Sequence, residues 1–174
     1  MAKIYAGIGS RETPLEVIKA MQTVAAALAK KHWILRSGGA DGADTAFEIG
    51  CDSVGGNKEI YIPWKGFNKS TSELYRPHVG AELIAKLTHP NWDACSDGAK
   101  KLHSRNVLQM LGLHLNHPVA FVICYTKNGS GAGGTGQALR IAAHLGIPVV
   151  DFGAVSLDQA EVLAEQIICE AGQI

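Results

Sequence analysis

The sequence lacks an excess of charge of either sign, because its 174 residues contain 16 Lys and Arg against 16 Asp and Glu. Positive and negative residues are interleaved along the chain. They form no basic stripe, although such a stripe is the usual electrostatic signature of a nucleic-acid-binding surface. Extended DNA or RNA is therefore a disfavoured partner.

Long apolar runs and linkers are also missing. No stretch approaches the roughly 20 apolar residues that a membrane-spanning helix needs. Met1-Ala2-Lys3 leads directly into a short apolar strand rather than into the hydrophobic region of a signal peptide. No Pro/Ser-rich segment divides the chain, and a hydrophobic content of 47% is enough for one buried core. We expect a single domain over residues 1–174 in a cytoplasmic protein that has no membrane partner.

The cysteines and histidines show no pattern that is typical of a metal site. No C-x-x-C spacing and no H-E-x-x-H pair occurs, and we expect reduced packing thiols, no metal and no cofactor. A G-x-S-x-G nucleophile elbow is missing as well. The side chains that lack such a pattern include Cys51, Cys95, Cys124, Cys169, His89, His103, His114, His117 and His144.

Two glycine-rich turns dominate what is present. Residues 37–44 follow an apolar segment at 33–35, and residues 129–136 follow the apolar segment 119–125. Glycines at a turn between a strand and a helix let backbone N–H groups approach an anion, and the helix N-terminus adds its positive dipole end. Both turns therefore predict binding of a phosphate or a phosphorylated ribose.

Apolar strands alternate with amphipathic helices along the chain, which predicts an α/β fold with a mainly parallel sheet covered by helices on both faces. Thr13-Pro14-Leu15-Glu16 predicts a capping box before the first helix, and Ser156-Leu157-Asp158-Gln159 predicts another before the last. The expected strands are 3–8, 33–35, 59–63, 119–125 and 147–150, and the other helices include 43–51, 81–87, 97–115 and 137–145.

Ligands of open parallel sheets bind outside the carboxyl ends of the strands, where the polar clusters of this chain are predicted to meet in one crevice. Arg11 and Arg105 are expected to contact phosphate, and Asn106 to contact a base. The candidate ligand-binding residues are Gly9, Ser10, Arg11, Ser37, Gly38, Gly39, Asp41, Asp44, Arg105, Asn106, Thr126, Gly133, Gly134, Thr135, Gly136 and Gln137.

The carboxylates near the first turn are the candidates for acid–base catalysis. The candidates for a general acid or base are Glu12, Asp41, Asp44 and Glu48, and in an enzyme Asp41, Asp44 or Glu48 is expected to replace a missing catalytic Glu. Asp41 and Asp44 are equally well explained as residues that complement a helix dipole.

These motifs resemble a known superfamily. Ile8-Gly9-Ser10-Arg11, the segment 37–46, the Arg105-Asn106 pair and the second glycine turn are similar to the Rossmann-like core of DNA processing protein A. More broadly they resemble the SLOG superfamily, which joins that protein with the Lonely Guy phosphoribohydrolases. The resemblance covers residues 3–152 and implies a Rossmann-like fold that binds a nucleotide or a nucleotide-derived ligand, without a cofactor.

Two departures limit what the resemblance implies about activity. His103-Ser104-Arg105-Asn106 is similar to the H-x-R-K segment that carries the catalytic Arg of Lonely Guy enzymes. The catalytic Glu that follows their glycine turn has no counterpart after Gly136, where Gln137 stands. The sequence also ends soon after the core, so we expect no winged-helix appendage of the kind that the DNA-processing role would lead us to expect.

The hypothesis favoured by the sequence is therefore a sensor, carrier or sequestering protein for a nucleotide-type ligand. The alternatives are a nucleoside 5′-monophosphate N-glycosidase and a single-stranded DNA-binding recombination mediator. Small phage and bacterial proteins linked to nucleotide signals are also similar in size to this core. An apolar C-terminal helix with Val162, Leu163, Ile167 and Ile168 either forms a homo-oligomer interface or covers the sheet. On this interpretation Gly134→Asp and Arg105→Ala both abolish or severely weaken ligand binding, and both variants stay folded.

Overall fold

A computed structural model describes residues 3–172, and the two residues at each end of the predicted domain 1–174 lie outside that range. The strands are β1 (Ile4–Gly9), β2 (Ile34–Ser37), β3 (Lys58–Ile60), β4 (Val122–Tyr125) and β5 (Val149–Asp151). The helices are α1 (Leu15–Lys30), α2 (Ala43–Asp52), α3 (Val79–Thr88), α4 (Asp97–Leu111), α5 (Gly133–Leu145) and α6 (Leu157–Gly172).

The five strands form one parallel sheet in the order β3-β2-β1-β4-β5. Tyr5 of β1 lies opposite Leu35 of β2, and Gly7 lies opposite Ile123 of β4. The chain builds outward from β1 in one direction and then returns to add β4 and β5 on its other side. The strand order therefore reverses between β1 and β4, which is where open α/β sheets bind ligands.

Helices cover both faces of the sheet, as the sequence predicts. One core contains Tyr5 of β1 and Phe121, which directly precedes β4, with the buried faces of α1, α2 and α6. The other contains Ile8 and Val122 with α3, α4 and α5. Successive strand residues point to opposite faces, so a strand that is covered on both sides is apolar throughout. The unbroken apolar character of 119–125 has this cause.

The start of α1 and the end of α4 differ from the predictions. The Thr13 hydroxyl donates to Ser10 O (2.7 Å), and α1 begins after Pro14 without a side-chain cap among the described residues, so the predicted capping box is wrong there. The box at Ser156 and Gln159 is confirmed by two reciprocal hydrogen bonds. The helix α4 ends at Leu111, four residues early, because Gly112 has φ of 75°.

Within residues 3–172, none of the helices combines the length and the apolar character that crossing a bilayer requires.

Candidate functional site

A cavity of about 470 Å³ lies at the carboxyl ends of β1 and β4, where the strand order reverses. Pockets of roughly 300 to 1,000 Å³ are typical of small-molecule sites. The lining residues are Ile8, Gly9, Ser10, Arg11, Glu12, Ala40, Asp44, Leu102, Arg105, Asn106, Gln109, Thr126, Lys127, Ser130, Ala132, Gly133, Gly134, Thr135 and Ala138. We call this cavity the switch-point pocket.

The second glycine turn presents the N-terminus of α5 to the switch-point pocket. Helix α5 begins at Gly133, four residues earlier than predicted, so the glycines form its first turn rather than a loop before it. Gly133 has φ of 72°, which a residue with a side chain rarely adopts. Among the described residues no side chain caps this helix, and its first turn contains no acidic residue. The N-terminal N–H groups of a 13-residue helix therefore meet the pocket.

Asp151, at the end of β5, positions the second turn. Its carboxylate accepts hydrogen bonds from Thr126 N (2.9 Å), from the Thr126 hydroxyl and from Gly153 N (2.9 Å). The Thr126 Oγ1 in turn accepts a hydrogen bond from Gly131 N (3.0 Å). Two neighbouring strands thus determine where α5 begins. Our sequence reasoning missed Asp151, although an acid that ends an apolar strand is a recognisable signal.

The first glycine turn is occupied by a side chain of the protein itself. The Asp44 carboxylate accepts hydrogen bonds from Gly9 N (3.2 Å) and Ala40 N (3.3 Å) and pairs with Arg105 Nη1 (3.3 Å). It takes the place that a phosphate was predicted to take. A Cβ on Gly38 would lie 1.2 Å from Arg105 Nη1, so this glycine makes room for the guanidinium. The first turn therefore serves the Asp44–Arg105 pair.

The Asp44–Arg105 pair is almost removed from water, since the two side chains are 4% and 8% exposed. Burial raises the pKa of the Asp44 carboxyl, while the Arg105 charge and the backbone donors oppose that shift. Burial likewise lowers the pKa of Arg105, and the Asp44 charge opposes it. Each charge thus depends on the other. The Nε–H of Arg105 is buried without a partner within residues 3–172, and such a donor marks a place for a ligand atom or an ordered water.

Asn106 and Gln109 connect α4 to both turns. Asn106 Nδ2 donates to Gly134 O (2.7 Å), which fixes the first turn of α5. In the amide orientation that satisfies its neighbours, Gln109 accepts from Gly38 N (2.9 Å) and Arg105 Nη1 (3.3 Å) and donates to Asn106 Oδ1 (3.0 Å). The contact of Asn106 with a base stays a prediction, and its amide nitrogen already donates to Gly134 O. Gln109 was missed, although a polar residue inside the apolar stretch 107–111 could have indicated it.

The side chains at the rim of the pocket are exposed and charged, in contrast to the buried Asp44–Arg105 pair. Arg11 and Lys127 are exposed cations that line it, and Glu12 is an exposed carboxylate beside them. Lys127 was not among the predicted residues. Two cations next to a helix N-terminus favour an anionic ligand group.

The structure brings most of the predicted residues together at the switch-point pocket and places the others elsewhere. Those that line it are Gly9, Ser10, Arg11, Asp44, Arg105, Asn106, Thr126, Gly133, Gly134 and Thr135. Those that do not line it are Ser37, Gly38, Gly39, Asp41, Gly136, Gln137 and Glu48.

Residues outside the pocket have structural partners. Ser37 donates to Gly7 O (2.7 Å), Asp41 accepts from Asn68 Nδ2 (3.0 Å), and Glu48 pairs with Lys58 (3.1 Å). Gln137 is fully buried, and its amide nitrogen donates to Ala85 O (3.1 Å) and Thr88 Oγ1 (2.6 Å). Gln137 therefore joins α5 to α3, at the place in the sequence where the resemblance to Lonely Guy enzymes would put a catalytic Glu.

A second polar cluster lies between α3 and α4. The Cys95 sulfur is 3.8 Å from both ring nitrogens of His89, whose ring centroid is 4.4 Å from that of His103. No sequence motif connects His89 with Cys95, and it is the fold that brings the two side chains together. Burial and the positive charges around it lower the pKa of His103 to about 4.

No family model matches this sequence, and no curated protein matches it by sequence. Solved structures do match. DNA processing protein A of Helicobacter pylori superposes with a TM-score of 0.57 at 18% identity, over 86% of this chain and 65% of that protein. DNA processing protein A of Streptococcus pneumoniae superposes with a TM-score of 0.54 at 19% identity, over 98% of this chain and 56% of that protein. This chain thus spans less than two thirds of either DNA processing protein.

The molybdenum cofactor carrier protein of Chlamydomonas reinhardtii matches over nearly its full length. It superposes with a TM-score of 0.58 at 16% identity, over 97% of this chain and 99% of that protein. Similarity at this level of identity identifies the fold. The chain has the α/β Rossmann-like fold of these neighbours, as the sequence predicted.

Proposed function

We propose that this protein binds a nucleotide or nucleotide-derived ligand in the switch-point pocket, with a phosphate group at the N-terminus of α5. The observation that carries the proposal is this helix N-terminus, which meets the pocket without a side-chain cap among the described residues. An anion there gains both the N–H donors and the dipole.

The other walls of the pocket suit the remainder of such a ligand. Arg11 and Lys127 lie at the rim, where their charges favour a second phosphate. Leu102, Ala138 and Ile8 contribute apolar surface for a base or another flat ring. The proposed ligand thus has an anionic end and an apolar end, with one glycine turn rather than two as its phosphate site.

The positions and hydrogen-bond partners of the candidate carboxylates favour a binding role over catalysis. Glu12 and Asp44 are the carboxylate candidates that line the pocket. Glu12 lies exposed at the rim, and the Asp44 oxygens already accept three hydrogen bonds. Asp41 and Glu48 lie outside the pocket with partners of their own. A structural neighbour of nearly equal length is named as a carrier protein, which supports a carrier, sensor or sequestering role.

Calorimetry with adenine and guanine nucleotides, ADP-ribose and cyclic nucleotides tests the proposal. We expect at least one of these to bind with a Kd below the millimolar range, and inorganic phosphate to compete with it. If no ligand of the panel binds more tightly than millimolar, the proposal is wrong.

N-glycosidic hydrolysis is the second candidate, favoured by the single observation that Asp44 lines the pocket with a raised pKa. A catalytic acid or base contributes about a hundred- to ten-thousand-fold in rate, so activity would be detectable above background. Chromatography of nucleoside 5′-monophosphates incubated with the protein separates the two functions. Ligand binding without release of free base supports the binding role alone.

A further inference from the structure

The connection between α3 and α4 brings three metal-binding side chains to one place. His89 directly follows α3, Cys95 lies in the connection, and His103 lies in α4. One ligand atom from each of them lies within 4.8 Å of the other two. We call these residues the His–Cys cluster. They do not line the switch-point pocket, so their chemistry is independent of the proposed function.

The distances in the His–Cys cluster are close to those of a coordinated metal. Zinc bonds of about 2.3 Å to sulfur and about 2.0 Å to nitrogen place tetrahedral ligand atoms about 3.3 to 3.6 Å apart. The Cys95 sulfur is already 3.8 Å from both ring nitrogens of His89. Because the sulfur is equidistant from the two nitrogens, the His89 ring must turn to aim one of them at a shared ion, and rotation about χ angles provides this movement.

Polar atoms in the cluster have few other partners. Within residues 3–172, His103 Nδ1 is buried and has no hydrogen-bond partner. A buried ring nitrogen without a partner costs free energy that a bound ion would recover. His89 Nδ1 accepts a hydrogen bond from Asn91 N (3.2 Å), and the Cys95 thiol donates to Asn91 O (3.5 Å). Each of these contacts is long enough to give way to a metal bond.

We infer that His89, Cys95 and His103 bind a divalent transition metal, with Zn²⁺ as the best fit. Two imidazoles and one thiolate are soft to borderline ligands, which select zinc over magnesium or calcium. On binding, the Cys95 S–H bond breaks, its proton leaves to solvent, and a sulfur–metal bond forms without a change of oxidation state. The three side chains leave a fourth tetrahedral position for water or another small ligand.

Titration of the metal-stripped protein with Co²⁺ and then Zn²⁺ provides the first test. Co²⁺ reports thiolate coordination through a ligand-to-metal charge-transfer band, and Zn²⁺ should displace it with one ion per chain. We expect Cys95→Ser to lose the band and His89→Gln to weaken binding at least about tenfold, because even the loss of an outer-shell partner costs that much. Cys169→Ser and His114→Gln are matched controls at exposed positions outside the cluster.

Alkylation followed by mass spectrometry provides a second test that needs no variant to fold. Zn²⁺ should slow the alkylation of the half-buried Cys95 at least about tenfold and leave that of the exposed Cys169 unchanged. Equal alkylation rates of Cys95 with and without Zn²⁺ would overturn the inference. A charge-transfer band that survives in Cys95→Ser would overturn it as well.

Discussion

At the scale of single residues, Arg105 and Asp44 belong both to the proposed ligand site and to a buried ion pair of the fold. Both line the switch-point pocket, yet they are 8% and 4% exposed and bind each other. The sequence alone predicts that Arg105→Ala removes a ligand contact and leaves the fold intact. Because removing one partner leaves the other charge buried and unpaired, a stability cost is now expected as well.

We expect Arg105→Ala and Asp44→Asn each to lower the free energy of unfolding by about 3 to 5 kcal/mol, the usual cost of breaking a buried ion pair. Denaturation by urea measures both. The double variant Asp44→Asn/Arg105→Ala should be more stable than the sum of the single effects implies, because it leaves no unpaired charge. Additive effects in this cycle would mean that the pair is not coupled.

Gly134→Asp tests the phosphate site without disturbing the core. A Cβ at Gly134 meets no atom within 4 Å, and an Asp in a first turn is favourable for a helix. We expect the carboxylate to repel the phosphate and to weaken nucleotide binding about ten- to a hundredfold, the equivalent of a lost charge-assisted contact of about 1.5 to 3 kcal/mol.

Gly134→Asn is the matched control, since it adds a side chain of the same shape without charge. Calorimetry should find much tighter binding in this variant than in Gly134→Asp, with similar melting temperatures for the two. Equal loss of affinity in both variants would show that space rather than charge matters at this position.

At the scale of elements, the start of α5 depends on β4 and β5. Thr126 links the two strands to the turn, because its hydroxyl bonds to Asp151 and accepts from Gly131 N. Asn106 adds a link from α4 through Gly134 O. Three elements therefore hold the helix N-terminus at the pocket, which is the support that a preorganised anion site needs.

Thr126→Val removes the hydroxyl and keeps the side-chain shape. It leaves the Gly131 N–H without its partner, which should cost about 1 to 3 kcal/mol in stability. We also expect weaker nucleotide binding, because α5 would begin less rigidly. Thr126→Ser restores the hydroxyl and should recover both the unfolding free energy and the affinity. Failure of this rescue would show that the methyl group is what matters.

At the scale of the whole molecule, the balance of charge leads us to predict that DNA is not the ligand. The neighbour from Helicobacter pylori is described by its single-stranded DNA binding mode, but it shares the fold at 18% identity and is a longer protein. Release of counterions from a strand requires several cations that contact its phosphates, and the 16 cationic side chains of this chain are interleaved with 16 anionic ones. We expect no complex with oligonucleotides at micromolar protein in low salt. A clear gel shift that disappears steeply with added salt would contradict this.

The C-terminal helix divides its apolar residues between the core and the surface. Ile167 packs against the sheet, whereas Val162 and Leu163 are 53% and 41% exposed. Helix α6 thus covers the sheet, and its outer face stays a proposed contact between copies of the chain. If copies associate there, Leu163→Lys should lower the mass measured by light scattering, and Leu83→Lys on the exposed face of α3 should not. An unchanged mass in Leu163→Lys would remove α6 as the interface.

Local patterns in the sequence were sufficient to predict the layers of this fold. Alternating strands and helices determine a parallel sheet that is covered on both faces, because each apolar stripe must be buried against another element. The glycine turns were located because glycine adopts backbone conformations that other residues rarely adopt. The Ser156 box is confirmed because both of its partners lie within one helical turn.

Contacts between distant segments decided the chemistry at each turn. The two glycine turns resemble each other in sequence, but Asp44 and Arg105, which are 61 residues apart, fill the first, while the second begins a helix that faces the pocket. The His–Cys cluster likewise depends on how α3 and α4 pack. Residue spacing carries no information about such pairings, because they arise only when the helices pack against the sheet and against one another.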